Sequence, residues 1–122
     1  MTELVSISDA KFSARATHVG AGILLELTGA ADATAKRNLA RMLGEIHEHA
    51  KALGAEEVRM DIRRLTFMNS SCFKDVITWL DRARADARYR ITFLSSATQH
   101  WQKRSLHALS CFARDLVSIE AS

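Results

Sequence analysis

The chain has no proline, only two cysteines and five glycines, and aromatic residues at 7% of its 122 positions. Without proline, and without repeats or low-complexity tracts, nothing marks a linker between separate units. The two thiols, Cys72 and Cys111, fall on different predicted helices without a metal-type spacing, so both are expected to be reduced. The few glycines form no P-loop, no Gly-x-Gly-x-x-Gly after a strand and no Gly-x-Ser-x-Gly elbow. That removes the commonest nucleotide-binding and hydrolase signatures, and the chain is expected not to be an enzyme. No apolar run approaches the ~18 residues of a membrane span. Met1-Thr2-Glu3-Leu4 does not open like a signal peptide, so a cytoplasmic chain with no membrane association is expected.

What is present is an ordinary globular balance, 48% hydrophobic and 25% charged, enough for one domain with one core over residues 1–122. Seventeen basic residues against fourteen acidic ones leave a formal charge of +3. Arginines gather at Arg63-Arg64 and along Arg82, Arg84, Arg88 and Arg90, with Lys103-Arg104 later. Asp81 and Asp86 interrupt that series, and no aromatic-studded basic stripe accompanies it. The pattern implies a solvated, slightly basic surface, suited to an acidic protein partner and not to nucleic acid. His47-Glu48-His49 lacks the His-x-x-x-His spacing of a helical metal site, and residues two apart point to different helix faces. No metal or other cofactor is expected.

The apolar periodicity switches repeatedly between strand and helix. Residues 23–28 read as a strand ending at Gly29. Asp32 or Thr34 can then cap a helix carrying Leu39, Met42, Leu43, Ile46, Ala50 and Leu53 on one stripe, closed by Gly54. Residues 58–62 alternate, with Val58, Met60 and Ile62 on one face. After Asn69-Ser70-Ser71 a second helix carries Phe73, Val76, Ile77, Leu80 and Ala83. Residues 91–94 are a short strand. A third helix over about 98–113 carries Trp101, Ser105, Leu109 and Phe112, and residues 117–119 read as an edge strand. Residues 12–17 pair back on the 23–28 strand across Gly20-Ala21-Gly22. Residues 1–9 are left open, as a tail or an extra strand. The order β-β-α-β-α-β-α-β predicts an α/β domain, a small mixed sheet of four to five strands covered by about three helices.

The segment from Val58 through Asp61 to Phe67-Met68-Asn69-Ser70-Ser71-Cys72 resembles the central signature of STAS domains, the fold of anti-sigma-factor antagonists. In that signature an apolar strand ends in Asp, and a loop with a hydrophobic pair leads to Asp-Ser-Ser-Gly opening a helix. Leu27-Thr28-Gly29-Ala30-Ala31-Asp32 resembles the family's Gly-Glu-Leu-Asp turn. Trp101-Gln102-Lys103-Arg104-Ser105-Leu106 is similar to a tract in a STAS-like branch of bacterial regulators that also has Asn before the two serines. The element order agrees over roughly residues 12–120. The resemblance implies a phosphoswitch. Its acceptor would be Ser70, with Ser71 the weaker candidate, and the partner would be a serine kinase, an anti-sigma factor or another output protein. The chain itself would be a monomer or weak dimer. Two departures stand out: Asn69 replaces the Asp of the motif, and Cys72 replaces the Gly.

Local chemistry alone leaves two readings of Asn69-Ser70-Ser71. These are good N-cap residues, worth about 1 kcal/mol at that position. The same place, with free backbone N–H groups and the positive end of the helix dipole, also tolerates a phosphate. A phosphate there brings about −1.5 to −2 charges that a partner packed over the helix would have to desolvate. The partner surface is therefore expected to comprise Asn69, Ser70, Ser71, Cys72, Phe73 and Lys74, with Gly29 and Asp32 building the adjoining loop. The alternative is a constitutive docking module, or one holding a small ligand in an apolar pocket beneath the loop. A third, minor reading makes Cys72, in the first turn of a helix, a reactive thiol; the favoured one for that side chain is a small buried apolar residue. Asp61 is expected to bond loop N–H groups around residues 63–66. Trp101 is expected to anchor the third helix on the sheet or to face outward as an interface residue.

Overall fold

A computed structural model describes residues 2–87 and 89–121; Arg88, one of the arginines assigned to the solvated surface, lies outside them, as do Met1 and Ser122. Six strands form one sheet in chain order: β1 (Thr2–Ser8), β2 (Phe12–Val19), β3 (Gly22–Ala31), β4 (Glu57–Met68), β5 (Arg90–Ser95) and β6 (Val117–Ala121). The first two pairings are antiparallel and the remaining three parallel. Three helices connect the parallel strands: α1 (Lys36–Leu53), α2 (Ser70–Arg82) and α3 (His100–Phe112). The predicted mixed α/β architecture is therefore present, with six strands in place of four to five. The additional one is β1, which pairs with β2 from Thr2↔His18 to Ser8↔Ser13.

Alternation sets the two faces of the sheet. Ala14, Ala16, Leu25, Leu27, Val58, Met60, Ile62, Ile91 and Phe93 are buried and share one core with the inward residues of all three helices. The opposite face carries Arg15 with Glu26 and Arg59 with Glu120 as surface ion pairs. A sheet covered on one side needs this period-two pattern, and a one-residue slip would turn every apolar side chain to water.

The helix stripes hold with exceptions. Leu39, Met42, Leu43, Ile46 and Ala50 are buried on α1, but Leu53 in its last turn is exposed. Gly54 ends α1 in the left-handed conformation at φ 62°, its N–H turned back on the carbonyls of Ala50 and Lys51. Neither Asp32 nor Thr34 caps α1: the N-cap position is Ala35, without a side-chain cap. Asp32 instead folds a tight turn, accepting from the backbone N–H of Thr34 at 2.9 Å and from its hydroxyl at 2.6 Å. On α3 the buried positions are Gln102, Leu106 and Leu109, and Phe112 is exposed under the Arg84 guanidinium, 4.9 Å from its ring centre. The inward face of α3 is thus rotated by about one residue from the predicted stripe.

A polar chain links α1 and α2, running from buried Trp79, Tyr89 and His47 out to exposed Asp86 and Lys51. Trp79 Nε1 donates to Tyr89 Oη at 2.9 Å, and Tyr89 Oη lies 2.9 Å from His47 Nδ1. His47 Nε2 lies 3.0 Å from Asp86 Oδ2, which also accepts from Lys51 at 2.9 Å. An indole can only donate. Tyr89 Oη therefore accepts from Trp79, and His47 bridges it to the Asp86 carboxylate through its two ring nitrogens. Asp86 sits in a π-helical turn, Ala83–Ala87, that follows α2 directly.

Candidate functional site

The candidate site forms where β3 and β4 end side by side. β4 is long: it pairs with β5 only as far as Asp61↔Leu94, yet stays paired with β3 as far as Ala31↔Met68. Residues 62–68 thus have a strand neighbour on one side only. The open side is met by α3. Gln102 Nε2 donates to the carbonyls of Ile62 (2.6 Å) and Leu65 (3.1 Å), while its Oε1 accepts from Ser96 N–H at 2.9 Å. Trp101 Nε1 also donates to Leu65 O, at 3.2 Å. Unpaired strand carbonyls buried under a helix would be costly, and two side chains of α3 satisfy them.

The β3 side is fixed by Gly29. Its φ is +96°, and a Cβ there would collide with the backbone carbonyl oxygen of Lys11. Ala30 N–H donates to that same carbonyl at 2.8 Å, so only glycine lets the hairpin close this tightly. Thr66 Oγ1 donates to Gly29 O at 3.0 Å and Asn69 N–H to Ala31 O at 2.9 Å, tying the two strand ends together.

From this platform the chain turns into α2. Asn69, extended at φ −75° and ψ 168°, is the N-cap, and its side chain accepts from Cys72 N–H at 2.9 Å. Ser70 and Ser71 are the first two helical residues, whose N–H groups have no intrahelical acceptor at any helix start. Ser70 is exposed, and Ser71 is half-buried. Phe67 is 48% exposed, a large apolar side chain left uncovered two residues before the cap. Lys74 is exposed on the same helical face as Ser70, one turn on. Phe73 is half-buried against the core.

Cys72 departs from its expected place on the partner surface. It is fully buried, pointing beneath the loop with Sγ 3.5 Å from Asp32 O. Burial pushes its thiol up from the usual 9.0, reinforced by the Asp75 charge, with Lys36 opposing. Burial and a raised pKa both work against a reactive thiol at this position. The residue that replaces the motif glycine fills core space and adds nothing to the surface.

Asp32, half-buried in the adjoining loop, is held below its usual 3.8, chiefly by its bonds to Thr34 and by Lys11 at 3.9 Å. Asp61 accepts from the Arg63 N–H as expected, and in addition from the Arg63 guanidinium at 3.0 and 2.8 Å, which lowers its pKa. Sequence reasoning missed two contributors. Lys36, at the start of α1, donates to both oxygens of Asp75 on α2 at 3.0 and 2.9 Å, an ion pair between the two helices. Gln102 was visible only as part of a tract. A polar residue on the inward side of an otherwise apolar face was the available signal. Among the described residues no three His, Cys, Asp or Glu side chains converge as a metal site requires.

No protein-family model matches the sequence, and no curated protein does either. Solved structures do. An anti-sigma factor antagonist from Mycobacterium paratuberculosis superposes with a TM-score of 0.69 at 10% identity, over 93% of this chain and 90% of that one. The anti-sigma factor antagonist SpoIIAA in its unphosphorylated form superposes with a TM-score of 0.60 at 20% identity, over 89% and 88%. The fold is that of the anti-sigma factor antagonists. At these identities the likeness extends to the fold, and what the site does has to be argued from its own residues.

Proposed function

We propose that the chain is a non-enzymatic signalling adaptor that docks on a regulatory protein, a serine kinase, anti-sigma factor or other output protein, through residues 67–71 and the exposed face of α2. Phosphorylation of Ser70 gates the contact. The observation that carries this reading is the pairing of an exposed serine at the first helical position with an uncovered Phe67 beside it. Phe67 supplies apolar area for the partner, and Ser70 places a hydroxyl at the rim of that contact. The partner kinase positions its ATP so that Ser70 Oγ attacks the γ-phosphorus. The bond to the bridging oxygen breaks, ADP leaves, and the serine proton passes to a base of the kinase. Asn69 is therefore no handicap to transfer, since this chain need not supply the base. The product phosphate accepts from the first-turn N–H groups and sits one turn from Lys74, so the fold tolerates it. A partner seated over Phe67 would have to desolvate its charge, and releases.

The small-ligand form of the alternative loses its support. The cavity beneath the loop, between Met60, Ile62, Phe73, Phe93 and Trp101, holds about 10 Å³, barely a water and far below a ligand site. Constitutive docking remains as the competing reading. The test is binding of the native partner to wild-type chain, Ser70→Ala, Ser70→Glu and Phe67→Ala. The switch requires Ser70→Glu to lose the partner, Ser70→Ala to keep it, and Phe67→Ala to weaken it. Equal capture by all four would leave only docking elsewhere.

A further inference from the structure

A second surface lies two strands away, on α3 and β6. The face of α3 that runs from His100 through Lys103 and His107 to Ser110 stands over the end of the sheet and leaves an open groove of about 930 Å³. Its floor is apolar, formed by Leu106, Ile119 and Ala121, with Ile119 38% exposed. Its rim carries two cations, Lys103 and Arg104, with His100 and His107 beside them, and no acidic residue lines it. The whole of α3 contains no Asp or Glu.

Two features mark this groove out. Most cations on the sheet and the other helices are already matched: Arg15, Lys36, Lys51, Arg59, Arg63 and Arg82 each sit in an ion pair. Lys103 and Arg104 make none among the described residues, a state they share with Arg37, Arg64, Lys74 and Arg90, but they alone stand together at the rim of an apolar groove. The groove is also bordered by an open strand edge. β6 pairs with β5 from Ile91↔Val117 to Ser95↔Ala121, and its other edge meets no strand among the described residues. An unpaired edge offers a ladder of backbone donors and acceptors.

We infer that this groove binds an acidic, extended segment of a partner protein, which adds as a strand to the free edge of β6. An apolar side chain would rest on Ile119 and Leu106, and its carboxylates would face Lys103 and Arg104. Strand addition supplies main-chain hydrogen bonds, while alternate side chains reach the groove. The helix face from His100 to Ser110 is about 15 Å long, room for about four to five extended residues. This surface shares none of its lining with the Ser70 site and is independent of that reading.

The test titrates a peptide, fluoresceinyl-Glu-Thr-Val-Thr-Asp-Thr-Val-amide, into the full chain; its alternate Glu, Val, Asp and Val side chains share the groove-facing side of an added strand, and a control has every acid replaced by lysine. Wild type should bind the acidic peptide and not the basic one. Lys103→Glu with Arg104→Glu should weaken binding about tenfold or more, and Ile119→Asp should weaken it as well. Ser70→Glu should leave it unchanged. Amide exchange of residues 117–121 should slow in the complex. Because all three altered side chains are exposed, the variants are expected to fold, which circular dichroism checks. The inference is overturned if the acidic peptide does not bind, if the basic peptide binds equally, or if β6 amides gain no protection. It is also overturned if anionic phosphatidylglycerol vesicles bind at Lys103 and Arg104 while the peptide does not, or if a second copy of the chain occupies the groove.

Discussion

Replacing Gln102 tests how the site loop is held. The side chain is 1% exposed and makes three hydrogen bonds, donating to Ile62 O and Leu65 O and accepting from Ser96 N–H. Gln102→Ala takes the side-chain partner from the buried Ile62 carbonyl and the half-buried Ser96 N–H, each worth about 1–3 kcal/mol when nothing replaces it, and leaves Leu65 O to Trp101 alone. Water entering the space left by the side chain would recover part of that, so about 3 kcal/mol is expected overall. At about 2.1 cal/mol/K of unfolding entropy per residue, a chain of 122 residues loses about 4 °C of Tm per kcal/mol. The variant should therefore melt about 12 °C lower. Gln102→Leu, which fills the space and admits no water, should cost at least as much; a packing role alone would make it nearly neutral. Urea unfolding followed by circular dichroism measures both variants at constant m. Should Gln102→Ala cost under about 0.5 kcal/mol, or Gln102→Leu be stabilising, the claim that this side chain satisfies the open edge of β4 is wrong.

Four further outcomes follow from the same structure. Asn69→Ala removes the cap on Cys72 N–H and should cost about 1 kcal/mol, whereas Asn69→Asp, an equally good cap, should cost close to nothing; a loss on Asn69→Asp as large as that on Asn69→Ala would contradict the assignment. In the native protein Cys111, which is exposed, should react with a thiol reagent at once and buried Cys72 only after unfolding; two fast thiols would refute its burial. Tyr89 is the sole tyrosine, and burial raises its pKa above the usual 10.0, so the native ultraviolet titration should show tyrosinate only at a pH where the chain unfolds. Asp86 is held below its usual 3.8 by Lys51 and His47. A carboxylate depressed on folding stabilises above its unfolded pKa, and that contribution is lost as pH falls through the lower folded value. Urea midpoints should thus decline on acidification below about pH 4, less steeply in Asp86→Asn; parallel curves for the two proteins would remove this residue from the acid response.

The parts legible in the sequence were those built from local periodicity. The alternation at Val58, Met60 and Ile62 and the stripe from Leu39 to Ala50 report burial directly, because one face of each element meets the core. Asn69-Ser70-Ser71 was legible as a helix start for the same local reason. β1 was not: Thr2–Ser8 contains a single buried residue, Ile7, and its strand state comes from pairing with β2 rather than from its own pattern. The far half of β4 was hidden by Arg63-Arg64, which point to solvent while the backbone stays paired with β3. Contacts across 36 to 42 positions, such as Gln102 with Leu65, Trp101 with Leu65, Lys36 with Asp75 and His47 with Tyr89, have no sequence spacing to betray them. The burial of Cys72 was legible as the ordinary fate of a lone thiol in an apolar helix turn; its displacement from the partner surface was not.

The central claim is that Ser70 carries a reversible phosphate that governs partner contact. The most direct measurement is intact-mass analysis and phosphosite mapping of tagged wild-type chain recovered from its native cell, alongside its co-purifying protein, with Ser70→Glu as the parallel bait. The account predicts a species with a single added phosphate on Ser70, the partner present only with the unmodified form, and no partner on Ser70→Glu. No phosphate at Ser70, together with a partner retained by both baits, would contradict it and leave a constitutive docking module.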